Sequence, residues 1–409
     1  MVFIDIPTPR RRWKLSRAGV LPSTGVEVLG FEATQAIQNL RHDVRLIAGK
    51  ATVIRVYLRP HGLTSNLKVR GEIVVSAAAG MPSSYVASRN EISLRANQHP
   101  SLNDQRSDAA LTLNFVIPAP PVGPMTVKLS RIQPISGGND YPILPADDLK
   151  VEFTSGPLLR IRVLGFRYTD ALLNPPQKFA PDATHFDHLR SYLTRAYPAG
   201  GLDWSQAVVD APANFSPPFS GQLLPDGFDP LWWTLLGILH QHLLTIRQAD
   251  IDAGWDPRTH YYGLVSDHSG FFRGAANDVP TAPAPNTIAV GPCGKAGAGY
   301  WDNDGSYGDW YGAHELAHTF GRFHPGFCGQ SSNDPHFPHP GGSISDAGQD
   351  CVGFDIGDTV LNLPMRAYPR EQWNDFMTYC DRQWVSKYTY DGLFDRLVAE
   401  ETLFAPQIA

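Results

Sequence analysis

His314-Glu315-Leu316-Ala317-His318-Thr319-Phe320-Gly321-Arg322-Phe323-His324 has the form HExxHxxGxxH, and nearly every fixed position has a chemical task. His314 and His318 stand four apart, so a helix projects them from one face. Two imidazoles placed in this way can grip one zinc ion. Glu315, beside the first ligand, can handle a proton at the metal without binding it. Gly321 can take positive φ, which ends the helix and turns the chain sharply. The turn can bring His324 round as a third ligand. Three histidines leave one position open for water, as in a catalytic rather than a closed structural zinc site.

Further along comes Asp375-Phe376-Met377-Thr378-Tyr379-Cys380. The long histidine motif followed by a methionine-containing turn resembles the metzincin clan of zinc endopeptidases. That resemblance implies that Met377 forms a hydrophobic floor beneath the histidines without touching metal. The Met377-x-Tyr379 spacing resembles the astacin and serralysin branches, where the tyrosine approaches the zinc and helps stabilise the transition state. The resemblance spans about residues 158–400, its specific part being these two motifs. The Cys328-Gly329 pair, Cys380 and the run Trp384-Val385-Ser386-Lys387-Tyr388-Thr389-Tyr390 depart from both branches. If the third histidine and the methionine turn both lie at the zinc, Cys328 and Cys380 are neighbours, which implies a Cys328–Cys380 disulfide. Cys293–Cys351 is the remaining pairing.

The chain has 409 residues, 42% hydrophobic and 18% charged, which suits a globular protein of two domains. No apolar run approaches the ~20 residues of a membrane helix. A net charge of −6 favours no nucleic-acid partner. The basic cluster Arg10-Arg11-Arg12 with Lys14 and Arg17 reads as a solvated N-terminal arm over residues 1–25. Residues 1–20 lack the apolar core of a secretory signal, whereas four cysteines confined to the second half favour two disulfides and an extracellular, oxidising compartment. A cytoplasmic location is the alternative.

Residues 26–155 carry period-two runs: Ile54, Val56 and Leu58; Val69, Ile73 and Val75; Leu111, Leu113, Phe115 and Ile117; Met125, Val127 and Leu129. With no convincing helix between them, they predict an antiparallel β-sandwich of immunoglobulin-like type. The stretches Thr34–Gln38 and Ala48–Leu58 resemble modules seen beside extracellular bacterial domains. Ser155-Gly156-Pro157 marks a boundary, and residues 156–409 are expected to form the catalytic domain. There, strand spacing at Leu159, Ile161 and Val163 precedes helical spacing at Phe186, Leu189, Leu193 and Ala196. Residues 231–247 are apolar nearly all round and predict a buried helix, in which His240 and His242 face different ways as packed side chains. Tyr261 to Val265 and Thr287 to Val290 read as strands. A mixed α/β order results, as a metzincin catalytic domain would show.

Asp302-Asn303-Asp304-Gly305 has spacing that can begin a calcium loop, but the rest of an EF-hand is missing, which favours an ordinary turn. His336 and His339 follow the third ligand and are expected as solvated loop histidines. The chemistry these residues predict is zinc-dependent hydrolysis of a protein or peptide substrate, with Glu315 as base and Tyr379 on the oxyanion. Two other readings start from the same residues. One is a zinc hydrolase of small peptides or amides; the other is an adhesive or binding protein with an accessory zinc domain. The intact Glu315 argues against a retired site. A latent precursor, its first domain blocking the cleft, is the third alternative, and the blocking group would not be a thiol, since no cysteine precedes Cys293.

Overall fold

A computed structural model describes residues 24–77, 82–96, 99–171, 173–215, 230–268, 272–295, 304–331 and 334–404. The basic cluster before residue 24, together with Asp302 and Asn303, lies outside the described residues. The protein is a multidomain mixed α/β molecule with several small sheets.

The first half runs β1 (Gly25–Thr34), β2 (Ile37–Gln38), β3 (Leu46–Ile47), β4 (Thr52–His61), β5 (Leu67–Ser76), β6 (Ser84–Ala87) and β7 (Ile92–Leu94). It continues through helix α1 (Leu102–Ser107) to β8 (Leu113–Ile117), β9 (Gly123–Pro134) and β10 (Leu149–Thr154). One sheet has the order β1-β4-β8, the other β3-β10-β9-β5-β6 with β7 also on β5. All pairs are antiparallel except β10 with β3. Residues from both sheets, among them Ile54, Val56, Val69, Ile73, Phe115, Val127 and Phe153, share one core.

Two expectations change here. A helix does interrupt the strands: α1 is six residues long and closed by a capping box between Ser101 and Asp104. The pattern missed it because so short a helix has no apolar stripe. Nor is the alternate face of β4 solvated along its length: Arg55 and Tyr57 are fully buried, and only Arg59 and His61 near its end are exposed. The Arg55 guanidinium donates to the carbonyls of Gln105 (2.8 Å) and Arg106 (2.9 Å) and lies 3.5 Å from Glu32. Such satisfaction allows a charge to be buried at a position that reads as exposed.

The second half contains β11 (Leu158–Asp170), β12 (Gln177–Phe179), α2 (Ala183–Ala196), β13 (Gly201–Asp210), α3 (Pro230–Asp252), β14 (His260–Ser266), β15 (Ala275–Ala276) and β16 (Ile288–Cys293). Then come α4 (Gly308–Thr319), β17 (Val352–Asp355), β18 (Arg366–Tyr368), β19 (Asn374–Asp375), β20 (Gln383–Trp384) and α5 (Lys387–Glu401). Strands β13, β11, β14 and β16 run parallel, and β15 lies antiparallel on the β16 edge. Alternation along the strands sends Ile161, Val163, Tyr262 and Leu264 to a core shared with α2, α4 and α5. Their neighbours Leu164, Phe166, Tyr261 and Val265 pack on α3 instead.

Helix α3 is buried on one face only, through Leu235, Leu236, Leu239 and Leu243; Trp233 and Gly237 turn outward. The expectation of a helix buried all round is therefore corrected: a single sheet face covers a single stripe. His240 is half-buried and bonds the Ala275 carbonyl through Nε2 at 3.0 Å.

The chain passes from β10 to β11 across Gly156, where a side chain would strike the Ala48 carbonyl at 2.6 Å. The halves nonetheless share structure. Strand β2 pairs with β17, and Ala36, Ile37, Val44 and Ile47 enter the α2/α4/α5 core. The Ala36 carbonyl accepts from the Trp384 indole (2.8 Å) and the Phe354 amide (2.7 Å).

Candidate metal centre

Helix α4 carries His314, Glu315 and His318 into the interior, each about 5% exposed. The helix ends in a Schellman arrangement: Gly321 N–H donates to the His318 carbonyl (2.8 Å) and Arg322 N–H to that of Ala317 (3.0 Å). Gly321 has φ of 76°, and a side chain there would meet the Pro280 carbonyl at 2.5 Å. Only glycine accommodates that backbone with so close an approach. The reversal swings His324 back so that its Nε2 lies 3.1 Å from His314 Nε2 and 2.8 Å from His318 Nε2.

The outer ring nitrogens explain the inward ones. His314 Nδ1 donates to the Phe376 carbonyl (2.7 Å) and His318 Nδ1 to the Arg322 carbonyl (2.6 Å). With Nδ1 protonated, each Nε2 presents a lone pair to the cluster. Facing lone pairs repel one another unless a cation sits between them, so the donor set fits a borderline metal such as zinc. Burial keeps the rings neutral: it pulls His314 down to about 4, His318 well below the usual range and His324 to about 3.

Glu315 is pushed up to about 8 by burial, opposed by the Ala276 N–H that donates to its carboxylate. A cation held by the adjacent imidazoles counteracts that rise. Gly274 lies against the same group. A methyl there would come within 2.8 Å of Glu315 Oε1, and its N–H donates to the Tyr311 hydroxyl at 3.0 Å. The edge strand β15 thus forms one wall beside Glu315.

Met377 is fully buried in the core that also holds Leu316 and Ala317 of α4. Asp375 organises its turn, accepting from Met377 N–H (2.8 Å) on Oδ1 and from Ser386 N–H (3.0 Å) on Oδ2. Tyr379 stands at the mouth, 59% exposed, its ring centroid 5.2 Å from that of His324 and 6.1 Å from that of His314. Desolvation and the Glu315 charge raise its phenol, while a hydrogen bond from Gln330 lowers it. Gln330 also donates to the Met377 carbonyl at 3.2 Å. A disulfide joins Cys328 to Cys380, with Cα atoms 5.2 Å apart.

The pairing of Cys293 with Cys351 is corrected: both are free, buried thiols. Cys293 ends β16 and packs against Gly308 at the start of α4, whereas Cys351 precedes β17. Different elements fix them, and nothing requires their Cβ atoms to meet. His339 is also corrected: it is buried, with Nδ1 3.2 Å from Asp346 Oδ2, while His336 is exposed as expected. Sequence reasoning missed Gly274, Ala276, Gln330 and Asp375. The first two act through backbone, which leaves no side-chain signature, and the others touch the site only through the fold.

No protein family matches the sequence, and no curated protein does. Among solved structures, a bacterial adhesin from Mobiluncus mulieris with disulfide, isopeptide and ester cross-links aligns at a TM-score of 0.20 and 9% identity, over 38% of this chain and 73% of that one. A calcium-binding mutant of Bacteroides uniformis beta-glucuronidase 2 aligns at 0.20 and 7%, over 59% and 29%. Both scores are too low to carry an argument about fold or function. Among the described residues, no helix is long and apolar enough to cross a membrane.

Proposed function

We propose that the protein is a zinc-dependent endopeptidase of metzincin type, with residues 26–155 an immunoglobulin-like sandwich and 156–409 the catalytic domain. The observation that carries this is the convergence of three imidazole Nε2 atoms beside a buried carboxylate. His314, His318 and His324 would hold a zinc ion, which when bound supplies an acidified water and polarises a carbonyl. Glu315 is the general base: it takes the proton of the attacking water and returns it to the leaving amine. Tyr379 donates a hydrogen bond to the developing oxyanion, steered by Gln330. The Cys328–Cys380 bridge supports an extracellular setting. Cleavage profiling on a library of proteome-derived peptides, with and without 1,10-phenanthroline, tests the reading. Zinc-dependent cuts are expected; no cleavage by zinc-loaded protein would sink it.

A further inference from the structure

The N-terminal end of α4 carries a second group of metal-ligating side chains. His188 of α2, Asp304 before α4 and Asp309 in its first turn place one ligand atom each within 4.8 Å of one another. His188 is 4% exposed, and its Nδ1 has no hydrogen-bond partner among the described residues. That atom lies 3.3 Å from Asp304 Oδ2 without hydrogen-bond geometry. A charge-assisted N–H···O bond would close to about 2.7–2.9 Å. Two ligands of a tetrahedral zinc ion, each about 2.1 Å from the metal, stand about 3.4 Å apart. The observed 3.3 Å is nearer the second value. A buried imidazole nitrogen facing a carboxylate without bonding it is a costly arrangement unless something lies between them.

We infer that His188, Asp304 and Asp309 form a second divalent-cation site, structural in role and independent of the peptidase reading. One nitrogen and two carboxylate oxygens suit a first-row ion such as zinc. Calcium prefers six to eight oxygens, and a buried imidazole supplies none. Bound there, the ion would tie α2 and the segment entering α4 to the first turn of the helix that carries His314 and His318. The Tyr197 hydroxyl, just past α2, already bonds the Ala313 carbonyl at 2.6 Å, so the clamp would stiffen an existing contact.

The test counts zinc on metal-stripped full-length protein by native mass spectrometry, at micromolar zinc. Wild type should carry two ions, Asp304→Asn one, His318→Ala one, and the double variant none. Asp304→Asn is nearly isosteric and keeps the side-chain oxygen that accepts from Ser306 N–H at 3.2 Å, so folding should survive. As a second readout, zinc should raise the melting temperature of His318→Ala, and the rise should vanish when Asp304→Asn is added. Equal zinc counts in wild type and Asp304→Asn would overturn the site whatever His318→Ala shows. A site that fills with millimolar calcium but not with zinc would overturn it as well. Equal counts in wild type and His318→Ala would instead remove the three-histidine site and leave this one standing.

Discussion

The two ends of α4 gather metal-ligating side chains of opposite kinds. At the C-terminal end three neutral imidazoles gather, where the helix dipole already favours a cation. At the N-terminal end the dipole opposes a cation, and two carboxylates stand there with a single imidazole. The first cluster spans eleven consecutive positions of the chain, from His314 to His324. The second draws His188 from another helix. A local cluster needs only a helix and a turn; a distant one needs the whole fold. The three-histidine cluster lies beside the exposed Tyr379, where the proposed chemistry would meet substrate, whereas Asp309 and His188 are almost wholly buried.

The sharpest way to break this contrast is Glu315→Ala. It should leave zinc bound while lowering peptide hydrolysis by about 10²–10⁴-fold, the usual contribution of a general base. Loss of metal in that variant would make Glu315 a ligand, and near wild-type turnover would end the proposed mechanism. Next in size is removal of the Cys328–Cys380 bridge by paired serine substitutions. The bridge closes a separation of 52 residues and ties the loop after His324 to the methionine turn. Denaturant unfolding should show a loss of about 2–4 kcal/mol. No change in midpoint would mean that the bridge restrains nothing at the three-histidine end.

Tyr379→Phe should lower kcat about ten- to a hundredfold with little change in KM, since the proposed mechanism gives its hydrogen bond to the transition state. Unchanged kcat would return Tyr379 to an exposed aromatic. The smallest effect concerns α2, which supplies His188. Buried Lys50 donates to the Arg195 carbonyl at its C-terminal end (3.0 Å). Desolvation, helped by Arg195, pulls its amine from 10.5 to about 7. Between these values the unfolded chain binds the extra proton, so stability rises with pH. Wild type should therefore gain stability over Lys50→Met as pH climbs from 7 towards 10. A pH-independent difference between the two would show that the amine stays charged throughout.

The three-histidine motif could be read directly because its parts are close in the chain: a four-residue step, a glycine with positive φ and a returning ligand are local geometry. The period-two runs of β5, β8 and β9 were legible for the same reason. Arg55 was not, because its burial depends on carbonyls of Gln105 and Arg106 that the fold brings beside it. The role of Gly274 was equally hidden, since its contact with Glu315 is made across two elements. By itself the sequence determined the three convergent imidazoles, the carboxylate beside them and the glycine that ends their helix. The Cys328–Cys380 bridge was legible from the two motifs that flank it. Tertiary structure alone decided that Cys293 and Cys351 stay unpaired, that the first half lends Ala36 and Ile37 to the second core, and that His188 meets Asp304 and Asp309. Local backbone geometry is written in neighbouring residues, whereas contacts between distant segments exist only once sheets and helices have packed.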